Sequence, residues 1–217
     1  MVSSQKSPGT RFWFVFALFL LIVALAQGGA ELQARPDAHP LPGLPVHTLL
    51  GYRVTFSIWA TILLLTPALS FFIISAADPS NSYWRAFWTF AWLAFLTHLY
   101  WTVFATFHLN WFEIFHSKTA ADPERIVEHP APDLFLAAWW GLDVLLAWLG
   151  PDRKWVRVQR GGVHLLALVM FFGAFTLAAK ASMAAHILGI VMLLAVAGCF
   201  LLSLSSRYPR KWLAEIR

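Results

Sequence analysis

The sequence predicts an all-α helical bundle of six transmembrane helices with both termini cytoplasmic, and three observations carry that expectation. The chain is 59% hydrophobic and only 12% charged, whereas a soluble domain averages roughly 25% charged residues. Its apolar residues gather into runs near the ~20 residues that cross a bilayer. Its cations also divide unevenly between alternate polar stretches, as the positive-inside bias requires.

Taken in order, the first run covers about 12–30 and follows Lys6 and Arg11. Basic residues, an apolar core and Ala24-Leu25-Ala26 make a passable signal peptide. The extension through Gly28-Gly29-Ala30 to spanning length favours an uncleaved first span. Residues 31–49 hold four prolines and both signs of charge, so they read as an extracytoplasmic loop. The second span, 50–76, has Arg53 one turn in, where its stem reaches the interface. Pro67 is expected to kink this span.

The turn ADPSNS leads into the third span, 86–112, which lacks Lys, Arg, Asp and Glu altogether. Residues 113–133 form a second, acid-rich outer loop. The fourth span, 134–150, contains Asp143, and the basic stretch PDRKWVRVQR is expected to be a loop before the fifth span, 161–179. A tight link, Lys180-Ala181-Ser182, leads to the sixth span, 183–205. This layout gives the cytoplasmic side eleven of the sixteen Lys and Arg residues. It implies a multi-pass membrane protein.

The net charge of +5 lies at helix ends on one side, so it argues for membrane orientation and against a nucleic-acid partner. The single cysteine, Cys199, excludes an internal disulfide and CxxC redox chemistry. No phosphate-binding glycine loop, G-x-S-x-G elbow or H-E-x-x-H helix occurs.

The chemistry-bearing residues are the imidazoles. A titratable group within a span is disfavoured unless it is paired, liganded or hydrated. His98 falls near the middle of the third span and His108 near its outer end. His47 and His186 are expected near the outer surface and His164 near the inner one. Two imidazoles at one depth would suit a b-type haem between helices. Each histidine could equally donate a hydrogen bond to a neighbouring helix. Asp143 is expected either to relay a proton or bond His98, or to tie two helices together. Glu113, His116 and His129 in the outer loop combine carboxylate and imidazole ligands of the kind that bind a transition metal. Trp84, Trp111, Trp155 and Trp212 suit an interfacial aromatic belt, while Trp101, Trp139 and Trp140 are expected deeper.

The stretches VHTLLGYRVTFSIWATILLLTPAL, WRAFWTFAWLAFLTHLYW and KWVRVQRGGVHLLALV resemble the bacterial ferric-reductase-like transmembrane family, in particular the haem-binding membrane subunits of periplasmic methionine sulfoxide reductase systems. The resemblance implies haem b on His98, with His47 as the histidine ahead of span two. It also implies electron transfer from a cytoplasmic reductant or a quinol to an extracytoplasmic acceptor. Where that family carries two histidines in span five, this chain has Gln159 and Phe172, and His164 fits only with a register shift.

Three functions are therefore expected to compete. One is a haem-binding electron-transfer subunit that uses His98 with His47, His108, His164 or His186 and works with a reductase and an acceptor. The second is a non-catalytic structural or assembly subunit of a larger membrane complex, binding partner helices, lipid or pigment. The third is a metal-dependent membrane enzyme using Glu113, His116 and His129.

Overall fold

A computed structural model describes residues 8–39, 48–74, 82–106, 108, 110, 130–150, 153–177 and 183–207. The architecture is all-α. Among the described residues there are six α-helices: α1 (Pro8–Gln33), α2 (Leu49–Ile74), α3 (Ser82–Leu99), α4 (Ala131–Leu149), α5 (Lys154–Phe172) and α6 (Met183–Arg207). Two of them continue as π-helix, α3 through Tyr100–Thr106 and α5 through Gly173–Leu177. All except α3 are long and apolar enough to cross a membrane.

Local chemistry accounts for the helix boundaries. Thr48 caps α2, its Oγ1 accepting from the Gly51 amide at 3.1 Å, which satisfies one of the amides left free at a helix start. Within α2, Ser57, Thr61 and Thr66 turn their hydroxyls back to carbonyls one turn earlier, so these polar residues cost little in an apolar helix. Pro67 lies inside α2 without ending it. The helical run that begins with α3 is followed by His108 at φ 48°, a left-handed conformation that stops helix propagation. α4 begins with prolines in its first turn, where a missing amide costs nothing. It ends at Gly150, whose amide donates to the Leu146 carbonyl, just before Pro151.

α3 packs against α1, α2 and α4. Helix α2 also lies against α1 and α6, while α5 packs on α4 and α6. The core is aromatic at its centre: Trp84, Trp88, Trp140 and Phe95 are all buried, set among Ala86, Ala91 and Ala94 of α3. Small residues let helices approach where bilayer lipid supplies no hydrophobic drive. Gly141 is one such position, since an added Cβ there would stand 2.7 Å from Trp92.

The helix bounds correct three expectations. The basic stretch before span five is not a loop, because α5 starts at Lys154 and takes Gln159 and Arg160 into its second turn. Trp84 is no belt residue but fully buried. The helix of span three starts earlier than the expected residue 86, at Ser82, and changes to π geometry at Tyr100.

Candidate functional site

Two polar layers sit in the bundle, and α2 measures their separation. The larger layer lies between α3, α4 and α5. Asp143, with no exposed surface, accepts hydrogen bonds at Oδ2 from Trp88 Nε1 at 2.9 Å and at Oδ1 from Gln159 Nε2 at 2.7 Å. Arg160 Nε stands 3.4 Å from the same Oδ1, forming a buried ion pair. The chain of bonds extends outward, for Trp139 Nε1 donates to Gln159 Oε1 at 2.8 Å. Register explains the pairing: Asp143 and Arg160 lie equally far from the α4–α5 link, and equidistant residues face each other in an antiparallel helical hairpin.

His164, one turn beyond Arg160, belongs to this layer. Its Nδ1 lies 2.8 Å from the Arg160 carbonyl and must donate to it. Nε2 is then the acceptor in this tautomer, and it receives Trp84 Nε1 at 3.1 Å. The ring is enclosed on both faces, with Trp88 stacked at 3.7 Å and Phe72 at 3.8 Å between centroids. The Arg160 guanidinium in turn lies 4.8 Å from the centre of the Trp84 ring, a cation–π contact between two buried side chains. Arg160 Nη1 and Trp140 Nε1 are buried without a hydrogen-bond partner.

The second layer is built on His98. Its Nδ1 donates to the Val54 carbonyl of α2 at 3.0 Å, an oxygen that also accepts from Ser57 Oγ. Its Nε2 has a single, long contact, 3.5 Å to Thr102 Oγ1. Phe95 stacks beside the ring at 5.9 Å. Nearby, Arg53 pairs with Glu31 of α1 and lies 4.5 Å over Trp101.

Val54 is near the start of α2 and Phe72 near its end. At ~1.5 Å per helical residue they are ~27 Å apart along the helix. His98 and His164 therefore stand at opposite ends of the bundle and cannot ligate one iron. This places His98 away from mid-depth, and Asp143 bonds Trp88, Gln159 and Arg160 instead of His98.

Tested against a haem, His164 does not fit, because both nitrogens and both faces of its ring are occupied. His98 fits better: a ligating imidazole ordinarily fixes its other nitrogen on a carbonyl or carboxylate, and the Nδ1–Val54 bond does this. Of the other expected ligands, His108 is exposed and His186 half-buried a turn into α6. His47, Glu113, His116 and His129 lie outside the described residues, and among those described no three His, Cys, Asp or Glu gather into a metal-binding group.

Sequence reasoning singled out Asp143 and His164 but missed their partners Trp88 and Arg160 and misplaced Trp84. Equal spacing from Pro151-Asp152, eight residues on either side, was the signal that pairs Asp143 with Arg160. No protein-family model, curated protein or solved structure matches this chain.

Proposed function

We propose that this chain is a six-span subunit of a bacterial inner-membrane complex, with both termini cytoplasmic, and that its interior polar groups hold the bundle together without catalysing a reaction. The observation that carries this reading is the engagement of Asp143 and His164: the carboxylate and both nitrogens of the imidazole are used on side chains and backbone of α3 and α5. A group so engaged has nothing left with which to bind a substrate. Outward-facing side chains such as Leu21 and Leu25 on α1 and Leu194 and Leu201 on α6 then meet lipid or the helices of partner subunits.

A second reading, haem-binding electron transfer, is favoured by one observation. His98 is oriented by Val54, and among the described residues its Nε2 has only the 3.5 Å contact to Thr102. On this reading the second imidazole comes from the same end of the bundle. His186 qualifies, because α6 starts beside the end of α5, where Gly189 lies against Thr176.

Absorption spectroscopy of protein purified with full haem supply, wild type beside His98→Ala, separates the two. A colourless wild type whose native complex persists in His98→Ala supports the subunit reading. A Soret band lost in His98→Ala overturns it in favour of haem.

A further inference from the structure

The two ends of the bundle treat their arginines differently. At the Leu49 end of α2, Arg53 is neutralised by Glu31. In the interior, Arg160 is neutralised by Asp143. At the opposite end, where α1 and α3 begin and α4 finishes, Arg11 and Arg85 have no carboxylate partner among the described residues, and each rests on an aromatic ring. Arg11 lies 5.1 Å from the Tyr83 centroid and Arg85 lies 4.8 Å from that of Trp148. Arg85 Nε is shielded from solvent and, like Arg53 Nε, has no acceptor among the described residues, so what sets the two ends apart is the missing carboxylate.

The platform under Arg85 is fixed. Trp148 Nε1 donates to Thr89 Oγ1 at 2.9 Å, and that hydroxyl donates to the Arg85 carbonyl at 2.8 Å. Phe12, next to Arg11 in sequence, meets Trp148 edge-on at 5.9 Å, so the two arginines flank one aromatic patch. Stacking leaves the Nη atoms of a guanidinium free for other partners, and these donors match the oxygens of a phosphate. The starts of α1 and α3 add positive helix-dipole ends on the same side.

We propose that this patch binds the phosphate of an anionic phospholipid headgroup, with Arg85 as the main contact and Arg11 at its flank. The inference rests on the membrane topology proposed above, which puts the patch on the cytoplasmic leaflet, the leaflet that carries anionic lipid. Arg85 is a positioned donor here, whereas Arg53, cancelled by Glu31, is not.

The test uses the full chain in neutral detergent. Resistance of the protein to alkaline carbonate extraction from membranes is measured first. Native mass spectrometry then follows binding of phosphatidylglycerol, phosphatidylcholine and inorganic phosphate. The expected result is about five-fold tighter binding of phosphatidylglycerol than of phosphatidylcholine, from the worth of one Arg near an anionic surface. Arg85→Gln removes that preference, Arg85→Lys weakens it, and Arg53→Gln leaves it intact. Extraction by carbonate overturns the topology and this inference together. An integrated protein that binds both lipids equally, or that keeps its preference in a folded Arg85→Gln variant, overturns the inference alone. Inorganic phosphate competing as well as the lipid at equal concentration overturns the lipid as the source of the phosphate.

Discussion

Asp143→Ala is the most informative perturbation of the bundle. It leaves the Arg160 guanidinium in a position only 2% exposed with no opposing charge, and removing one partner of a buried pair typically costs about 3–5 kcal/mol. The bonds from Trp88 and Gln159 are lost too, at about 0.6 kcal/mol each for interhelical bonds in a membrane protein. The sum is about 4–6 kcal/mol, comparable with the whole stability of many proteins. Arg160→Met alone should cost less, about 1–3 kcal/mol, because Trp88 and Gln159 still donate to the carboxylate. The double variant Asp143→Ala/Arg160→Met removes both charges and should cost well under the sum of the two single changes. Equilibrium unfolding in mixed micelles, followed by tryptophan fluorescence, reads all four corners of the cycle. Additive single costs, or an Asp143→Ala penalty below about 1 kcal/mol, would refute a coupled buried pair.

Other positions give smaller and separable effects. Gly141→Ala places a Cβ 2.7 Å from Trp92 Cζ2 and disturbs the bond from Trp92 Nε1 to the Ala137 carbonyl; a loss of about 1–3 kcal/mol is expected in the same unfolding assay. Trp84→Phe leaves His164 Nε2 without its donor and should cost about 1–3 kcal/mol, with the protein still reaching the membrane fraction. Glu31→Gln breaks a partly exposed pair with Arg53 and should change stability by less than about 1 kcal/mol, a contrast with Asp143 that tests burial as the cause. Gly189→Ala meets Thr176 Cγ2 at 2.6 Å. It should loosen α6 from α5, seen as faster proteolysis of the α5–α6 link with the rest of the bundle intact.

The helices were legible because each is a long apolar run bounded by proline, glycine or charge, and the described helices begin or end within a few residues of the expected bounds wherever such a break exists. The exception is instructive. No proline or glycine separates Lys154 from Gly161, and a cluster of cations there suggested a loop. Arg160 is nonetheless helical and buried because a carboxylate waits one helix away. Hydropathy scores residues singly and cannot see a charge that arrives already paired. Trp84 was misplaced for a related reason, since sequence position alone does not tell an interfacial indole from one that donates to a buried imidazole.

Depth along the chain was harder to read than the existence of spans. His98 lies near the middle of its expected span, yet it bonds the second turn of α2, because α3 begins at Ser82 and reaches His98 only near its far end. A count from the helix start, at ~1.5 Å per residue, gives ~24 Å for that rise, in accord with the position of Val54. The same scale puts His164 beside the first turns of α3, where Trp84 and Trp88 meet it. The resemblance to haem-binding helices treated the histidines as members of one set. Helix geometry divides them, since one imidazole is enclosed within a tryptophan-lined charge pair at one end, while the other keeps a nitrogen only loosely engaged at the opposite end. Of these two imidazoles, only that of His98 keeps a nitrogen loosely engaged, and the Asp143 layer has to be explained without a ligand on His164.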